Sequence, residues 1–235
     1  MRARPTPEAD LLPASDRSLR VSFGDAVDIE ASMRVVRLLR RLDAAPLDGV
    51  VDASPAYASV LVRFDPLRLD HESATAHVRR LLAGLDDEPL GEPRRVSIPA
   101  RYGGADGPDL ENLARDAGIS PAEVVRLHAS TTYRVHFLGF TPGFAYMGTV
   151  PQAIAAPRLE RPRRSVPAGS IGIAGTQTGI YPCATPGGWR LIARTDLRLF
   201  DPDRRPMSLL EIGDEVRFVP EAGAPTGDRP VREAR

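Results

Sequence analysis

Residues 137–148, Phe-Leu-Gly-Phe-Thr-Pro-Gly-Phe-Ala-Tyr-Met-Gly, set three glycines, one proline and four aromatic residues in twelve positions. Such a stretch is expected to be neither an ordinary helix nor an ordinary strand. Glycine supplies left-handed backbone and close approach, proline fixes one bend, and the aromatic rings supply rigid walls. A second glycine-rich run covers residues 167–182, and a third is Pro186-Gly187-Gly188-Trp189. The conformationally demanding residues thus gather in the last hundred positions, and the function is expected there.

The chain has 235 residues, enough for one large or two small domains. Its 42% hydrophobic and 26% charged content is that of an ordinary soluble protein. A formal net charge of zero argues against nucleic acid or an anionic membrane as partner. No apolar run approaches the ~18–20 residues of a membrane span. Met1 to Asp16 is rich in proline and charge, with no hydrophobic signal core, so a cytoplasmic location is expected. Cys183 is the one cysteine, which excludes an internal disulfide and a cysteine metal cluster, and no histidine spacing suits zinc. All thirty-one basic residues are arginine. Without lysine there is no Walker A lysine, Schiff base or lysine general base. A bound phosphate or carboxylate must then meet arginine, backbone N–H groups or a metal.

The pattern predicts a disordered head over 1–17, an α/β domain over 18–92, a β-rich domain over 93–220 and a flexible tail over 221–235. In the first domain Leu19–Phe23 alternates as a strand, and Ile29, Met33, Val36, Leu39 and Leu42 mark an amphipathic helix. Gly49–Asp52 and Tyr57–Phe64 read as strands about a turn at 53–56. Asp70 is placed to cap a helix whose apolar face is Ala74, Val78, Leu81, Leu82 and Leu85. With a last strand near Arg95–Pro99 this order predicts a split βαβ, ferredoxin-like sandwich. In the second domain Val96–Tyr102 also reads as a short strand ending in Gly103-Gly104, and a short helix runs over Asp109–Ala117. Ser120-Pro-Ala-Glu123 is a capping box that starts another helix, reaching about Ala129. A strand over Thr132–Leu138 and short apolar segments at 164–167, 171–174, 190–195, 197–200 and 216–219 predict a β-barrel or sandwich.

Several residues could carry chemistry. His128 follows Val124 by one helical turn and is either a hydrogen-bonded, half-buried histidine or a site residue. Arg134 and His136 alternate onto one strand face, which is either solvated or a clamp and proton carrier for an anion. Arg158, Arg161, Arg163 and Arg164 are stiffened by Pro157 and Pro162, as a solvated loop or as guanidinium groups presented at low entropic cost. Gln177 and Thr178 sit between glycines, facing ligand or solvent. His71 and His77 do not share a helix face and read as surface histidines. No nucleotide-binding glycine loop precedes a helix, and no activated nucleophile is visible.

The blocks Tyr133–Gly148, Pro157-Arg158, Pro162-Arg163, Val166–Pro182, Pro186–Thr195 and Leu199–Pro202 resemble the carboxyltransferase subdomain family also called allophanate hydrolase subunit 1. The resemblance runs from Ser18 to Val219. Members of that family include the B component of a three-component bacterial 5-oxoprolinase, a sporulation-kinase inhibitor and a part of urea carboxylase. The resemblance implies an α+β protein whose ferredoxin-like domain is followed by a cyclophilin-like β-barrel. It implies membership of an ATP-dependent complex, with Mg at the level of the complex, that opens 5-oxo-L-proline to L-glutamate. The implied partners are a sister cyclophilin-like subunit, the C component of 5-oxoprolinase, and a third subunit, its A component. Inhibition of a sensor histidine kinase, or a component acting on urea or allophanate, are the alternatives. The matching positions imply catalytic roles for His128, Arg134 and His136 and substrate contacts from Tyr133, Arg158, Arg163, Gln177, Thr178, Tyr181 and Arg194. These side chains are expected to line one hollow that a second protein closes.

Overall fold

The computed structural model describes residues 9–25 and 29–222, which fall into two compact units, one ending at Pro93 and the other starting at Arg94. Most of the expected tail and the start of the expected head lie outside the described residues.

The first unit is a four-stranded antiparallel sheet with two helices. Its strands are β1 (Asp10–Ser15), β2 (Ser18–Ser22), β3 (Val50–Pro55) and β4 (Ser59–Phe64), in the order β1-β2-β4-β3. The helices are α1 (Ile29–Ala44) and α2 (His71–Leu82). β2, α1 and β3 form a split βαβ unit, because β4 inserts between the two strands. The fourth place in the sheet departs from expectation. It is filled by β1, a hairpin partner of β2 drawn from the head whose composition suggests disorder, and the segment near Arg95 belongs to the second unit.

Strand periodicity builds the core of this unit: Leu19 and Val21 of β2 and Val60, Val62 and Phe64 of β4 are all buried. The helix phase differs from the sequence reading. Ile29 is 59% exposed, and the buried stripe is Ala31, Val35, Leu38 and Leu42, at spacings of three and four. The sheet also draws in Arg34, whose guanidinium lies 4.6 Å from the centre of the Phe23 ring. α2 begins as predicted, with the Asp70 side chain accepting from the Ser73 N–H at 2.7 Å. Its far end is held by Arg41 of α1, which donates to the carbonyls of Leu81, Ala83 and Gly84 and pairs with Glu88. His77 is not a surface histidine: it is 7% exposed, with Nδ1 3.3 Å from Arg80.

In the second unit seven strands close into a barrel. They are β5 (Arg95–Tyr102), β6 (Tyr133–Leu138), β7 (Ala145–Gly148), β9 (Ser170–Ala174), β10 (Gln177–Ile180), β12 (Arg190–Arg194) and β13 (Glu215–Pro220). Around the ring the order is β10-β7-β6-β13-β5-β12-β9. Only β13 and β5 run parallel. A separate two-stranded ribbon pairs β8 (Arg163–Val166) with β11 (Thr185–Gly187). Helices α3 (Leu110–Ala117) and α4 (Pro121–Ser130) pack on β12 and β13. The predicted cap forms in its serine half, with Ser120 Oγ accepting from the Glu123 N–H at 3.1 Å, while the Glu123 carboxylate pairs with Arg126.

Two glycine-rich stretches are more regular than composition suggests. Ala145–Gly148 is a barrel strand, so only residues 139–144 escape regular structure. The run at 170–180 is a hairpin, β9 and β10, turning at Gly175-Thr176. Conversely, the segment 197–200 carries only a bridge from Phe200 to Ser208.

A buried carboxylate fastens the approach to α3. Asp109 accepts from the Leu191 N–H and from Arg163, both at 2.6 Å, and donates its own N–H to the Leu191 carbonyl at 2.9 Å. Losing a buried charged partner costs about 3–5 kcal/mol. Asp109→Ala is therefore expected to lower the stability of the unit by about that much in urea denaturation, and Asp109→Asn, which keeps one acceptor oxygen, by roughly half. A loss under about 1 kcal/mol for Asp109→Ala would show that this anchor is dispensable.

Candidate functional site

The loop 139–144 between β6 and β7 folds back on itself. Thr141 donates its N–H to the Gly139 carbonyl, Phe144 to Thr141, and Gly139 to Phe144. Within it Phe140 adopts φ 67, the left-handed region, and its ring is 61% exposed. A bulky residue held there costs about 1–3 kcal/mol, a strain that clusters at ligand sites. Phe144 is buried and serves as a hub, edge-on to Phe140, Tyr146, Tyr181 and Trp189 at 4.8–5.6 Å between ring centroids. These rings, with Arg158, Pro162 and Pro186–Gly188, enclose a pocket of about 210 Å³. Glycine makes the pocket possible at two points. A Cβ on Gly179 would stand 3.0 Å from the Phe144 ring and 3.1 Å from that of Trp189, and one on Gly187 would stand 2.5 Å from the Tyr181 hydroxyl.

Burial raises the pKa of both Tyr146 and Tyr181, and for both the Arg158 charge pulls the other way. The guanidinium therefore stands near both phenols. Arg163 pairs with Asp109 and Arg190 approaches Asp116 at 3.5 Å, whereas Arg158, like Arg161 and Arg164, makes no ion pair among the described residues.

A second cluster surrounds Gly148. Arg134 of β6 lies opposite Gly148 of β7, which lies opposite Gln177 of β10. The missing side chain of the glycine leaves a notch between these positions, which the buried His136 imidazole occupies. His136 reaches the same place because it shares the strand face of Arg134 two residues before it, and it is the extra residue of a β-bulge: Val135 pairs with Met147 and Phe137 with Tyr146. A Cβ on Gly148 would lie 3.1 Å from His136 Nε2. Burial, and then the charge of Arg134, lower the His136 pKa, so a neutral imidazole stands beside a guanidinium at pH 7.

A third group lies inside the barrel. His128 projects from α4, is fully enclosed, and stacks on Phe218 at 4.6 Å. Its Nδ1 is 2.7 Å from the Tyr102 hydroxyl and its Nε2 3.0 Å from Thr178 Oγ1. Thr178 gives its single hydroxyl proton to the Gly172 carbonyl at 3.0 Å. It must then accept from His128 Nε2–H, which leaves Nδ1 to accept from Tyr102. Tyr133 donates to the His128 carbonyl at 3.0 Å. Burial drives the His128 pKa from 6.5 to about 3. Every polar atom in this chain is matched, which is the arrangement of a polar bolt through an apolar core.

The ten candidate residues therefore do not line one hollow. His128, Tyr133 and Thr178 are sealed in the interior; Arg134, His136 and Gln177 meet at Gly148; and Arg158 and Tyr181 reach the aromatic pocket. Arg163 is occupied by Asp109, and Arg194 donates to the Ala168 carbonyl. The division has a simple cause, since alternate residues of a closed barrel point to opposite faces. Phe140, Phe144, Tyr146 and Trp189 complete the pocket although none stood among the candidates. Their signal was present as aromatic residues crowded among glycines and prolines, where no helix or strand period accounts for them.

The fold and these clusters define an α+β protein that carries its polar groups on and around a closed barrel. The chain belongs to the family described as carboxyltransferase domain, subdomain C and D, which it matches over residues 9–210. It is 46% identical to the B component of the 5-oxoprolinase of Escherichia coli O157:H7 over 197 residues, covering 83% of this chain and 88% of the relative. Among solved structures it is similar to TTHA0988, with a TM-score of 0.78 and 39% identity over 91% of this chain; it spans only 41% of that longer chain. Kluyveromyces lactis urea carboxylase shares the fold at a TM-score of 0.69 and 20% identity, over 93% of this chain and 22% of that one.

The interior histidine predicts a pH dependence. Unfolded, His128 takes a proton below about 6.5, whereas the folded imidazole resists until about 3. The unfolded state thus binds more protons between those values, and stability falls as pH drops, by up to about 1.4 kcal/mol per pH unit from this group. His136 acts in the same direction. His128→Gln is expected to make the fall between pH 6 and pH 4 shallower by about one proton in urea titrations at stepped pH. An unchanged slope would place His128 in contact with solvent.

Proposed function

We propose that this chain is the B component of an ATP-dependent complex that opens 5-oxo-L-proline to L-glutamate. The observation that carries the reading is the nearly full-length likeness to a protein named as the B component of 5-oxoprolinase. The barrel is taken as cyclophilin-like and the first unit as a ferredoxin-like sandwich whose outer strand is supplied by β1. The match to less than half of a longer solved chain supports a unit that works beside other protein, here a sister barrel subunit and a third subunit. A cytoplasmic location goes with this reading. No helix among the described residues is long and apolar enough to cross a membrane. The likeness to urea carboxylase reflects the fold alone and gives the urea reading no comparable support.

A lactam is a poor electrophile, because amide resonance stabilises the ground state. Activation of its oxygen by a phosphoryl group would create a leaving group and let water add to the carbonyl carbon. ATP is assigned to the complex. Among the described residues no three His, Cys, Asp or Glu side chains gather to hold a metal ion, and the chain has no lysine to meet a phosphate. What it offers is the notch at Gly148, where Arg134 can hold an anion and neutral His136 can accept or donate a proton beside it.

The test mixes the purified subunits with ATP and 5-oxoproline and measures glutamate. Omitting this chain is expected to abolish product, and an unchanged rate would end the reading. In the assembled complex, Arg134→Ala is expected to lower kcat/KM by about ten- to one-hundred-fold, the worth of one charged hydrogen bond, with urea stability retained. Normal turnover would remove Arg134 from the site.

A further inference from the structure

The aromatic pocket adjoins the notch along β7, where Tyr146 lies two residues before Gly148 on one strand face, and three of its features select a ligand. Its walls are rings set edge-on to one another, so they offer an angular apolar cleft. Its one charged lining group, Arg158, makes no ion pair among the described residues, whereas the nearby Arg163 and Arg190 are both paired. Its volume of about 210 Å³ has room for one small ring and a substituent. A guanidinium beside an apolar cleft favours an anion whose remainder is compact and uncharged, and a planar carboxylate matches its forked donors. The strained, exposed Phe140 at the rim fits a wall shaped for contact.

We propose that this pocket holds the ring of a small cyclic amide that bears a carboxylate, the ring lying among Phe144, Tyr146 and Trp189 and the carboxylate meeting Arg158. The proposal rests on the reading of the chain as part of a lactam-opening complex, and it assigns the substrate ring to this chain. The recognition is of shape and charge together: a carboxylate without a ring would leave the aromatic walls wet, and a ring without a carboxylate would leave Arg158 without its partner.

The test has two arms. In the reconstituted complex, Arg158→Gln is expected to raise KM for 5-oxoproline about ten-fold or more, as one charge-assisted pair is lost, with KM for ATP unchanged. Tyr146→Ala should act in the same sense. Trp189 is the chain's one tryptophan, so its fluorescence reports the pocket directly in the full chain. A saturable change is expected with 5-oxo-L-proline, and binding about ten-fold weaker with 2-pyrrolidinone, which lacks the carboxylate, or with Arg158→Gln. KM for 5-oxoproline within about two-fold of wild type in both variants overturns the proposal. So does a rise confined to KM for ATP. If the complex makes glutamate while Arg158→Gln behaves as wild type, the subsite is wrong and the function stands. If the complex makes none yet the full chain binds 5-oxoproline through Arg158, the function is wrong and the pocket stands.

Discussion

Closing seven strands into a ring is the constraint on which the second unit depends. A ring has no edge strands, so its backbone donors and acceptors are satisfied within it, and its interior must then be filled by side chains. Most of that filling is apolar, including Ile98, Val135, Met147, Ile171 and Ile192. The exception is the line from Tyr102 through His128 and Thr178 to the Gly172 carbonyl, which ties α4 to β5, β9 and β10. Such a line is tolerable inside a core only because each donor meets an acceptor; one missing partner would cost about 1–3 kcal/mol. It also fixes the tautomer of a neutral histidine, which makes His128 a structural part of the barrel rather than a group that changes charge near neutrality.

Irregularity is displaced to places the ring can spare. One is the bulge at His136, which leaves the imidazole on the face of Arg134 and brings Phe137 round to stack on Tyr146. The other is the set of loops around Phe140, Arg158 and Pro186–Trp189. Rigid rings and prolines in those loops lower the entropy lost when a ligand is ordered against them. Asp109 shows the same economy in a structural role: one buried carboxylate orders Arg163, the approach to α3 and the start of β12 together.

The first unit rests on a different balance. Its sheet is open, and its core is the usual apolar stripe of two helices on one sheet face. Arg41 makes the helix pair specific by donating to the last carbonyls of α2, groups a helix cannot satisfy from within. Nothing local marks that arginine among its neighbours Arg37 and Arg40, because its role depends on where a second helix, forty residues on, happens to end.

Local chemistry was legible wherever it acts over a few residues. The caps at Asp70 and Ser120, the alternating strands β2 and β4 and the turns about Gly175 are short-range effects of side-chain donors, period-two burial and backbone freedom. The family blocks were legible too, since their order and spacing are properties of the linear chain. What the linear chain could not decide was which residues meet. The head strand β1 finds its place only by pairing with β2, the strand near Arg95 is claimed by β13 rather than by the first sheet, and α1 is rotated so that Ile29 faces outward. The candidate residues part company for the same reason. Barrel closure sends Thr178 inward and Gln177 outward, and an ion pair consumes Arg163 while leaving Arg158 to the pocket. Composition and spacing determined that this chain folds as α+β with its aromatic and guanidinium groups in stiff loops. Only the three-dimensional packing, which sets who is neighbour to whom across dozens of residues, decided which of those groups share a site.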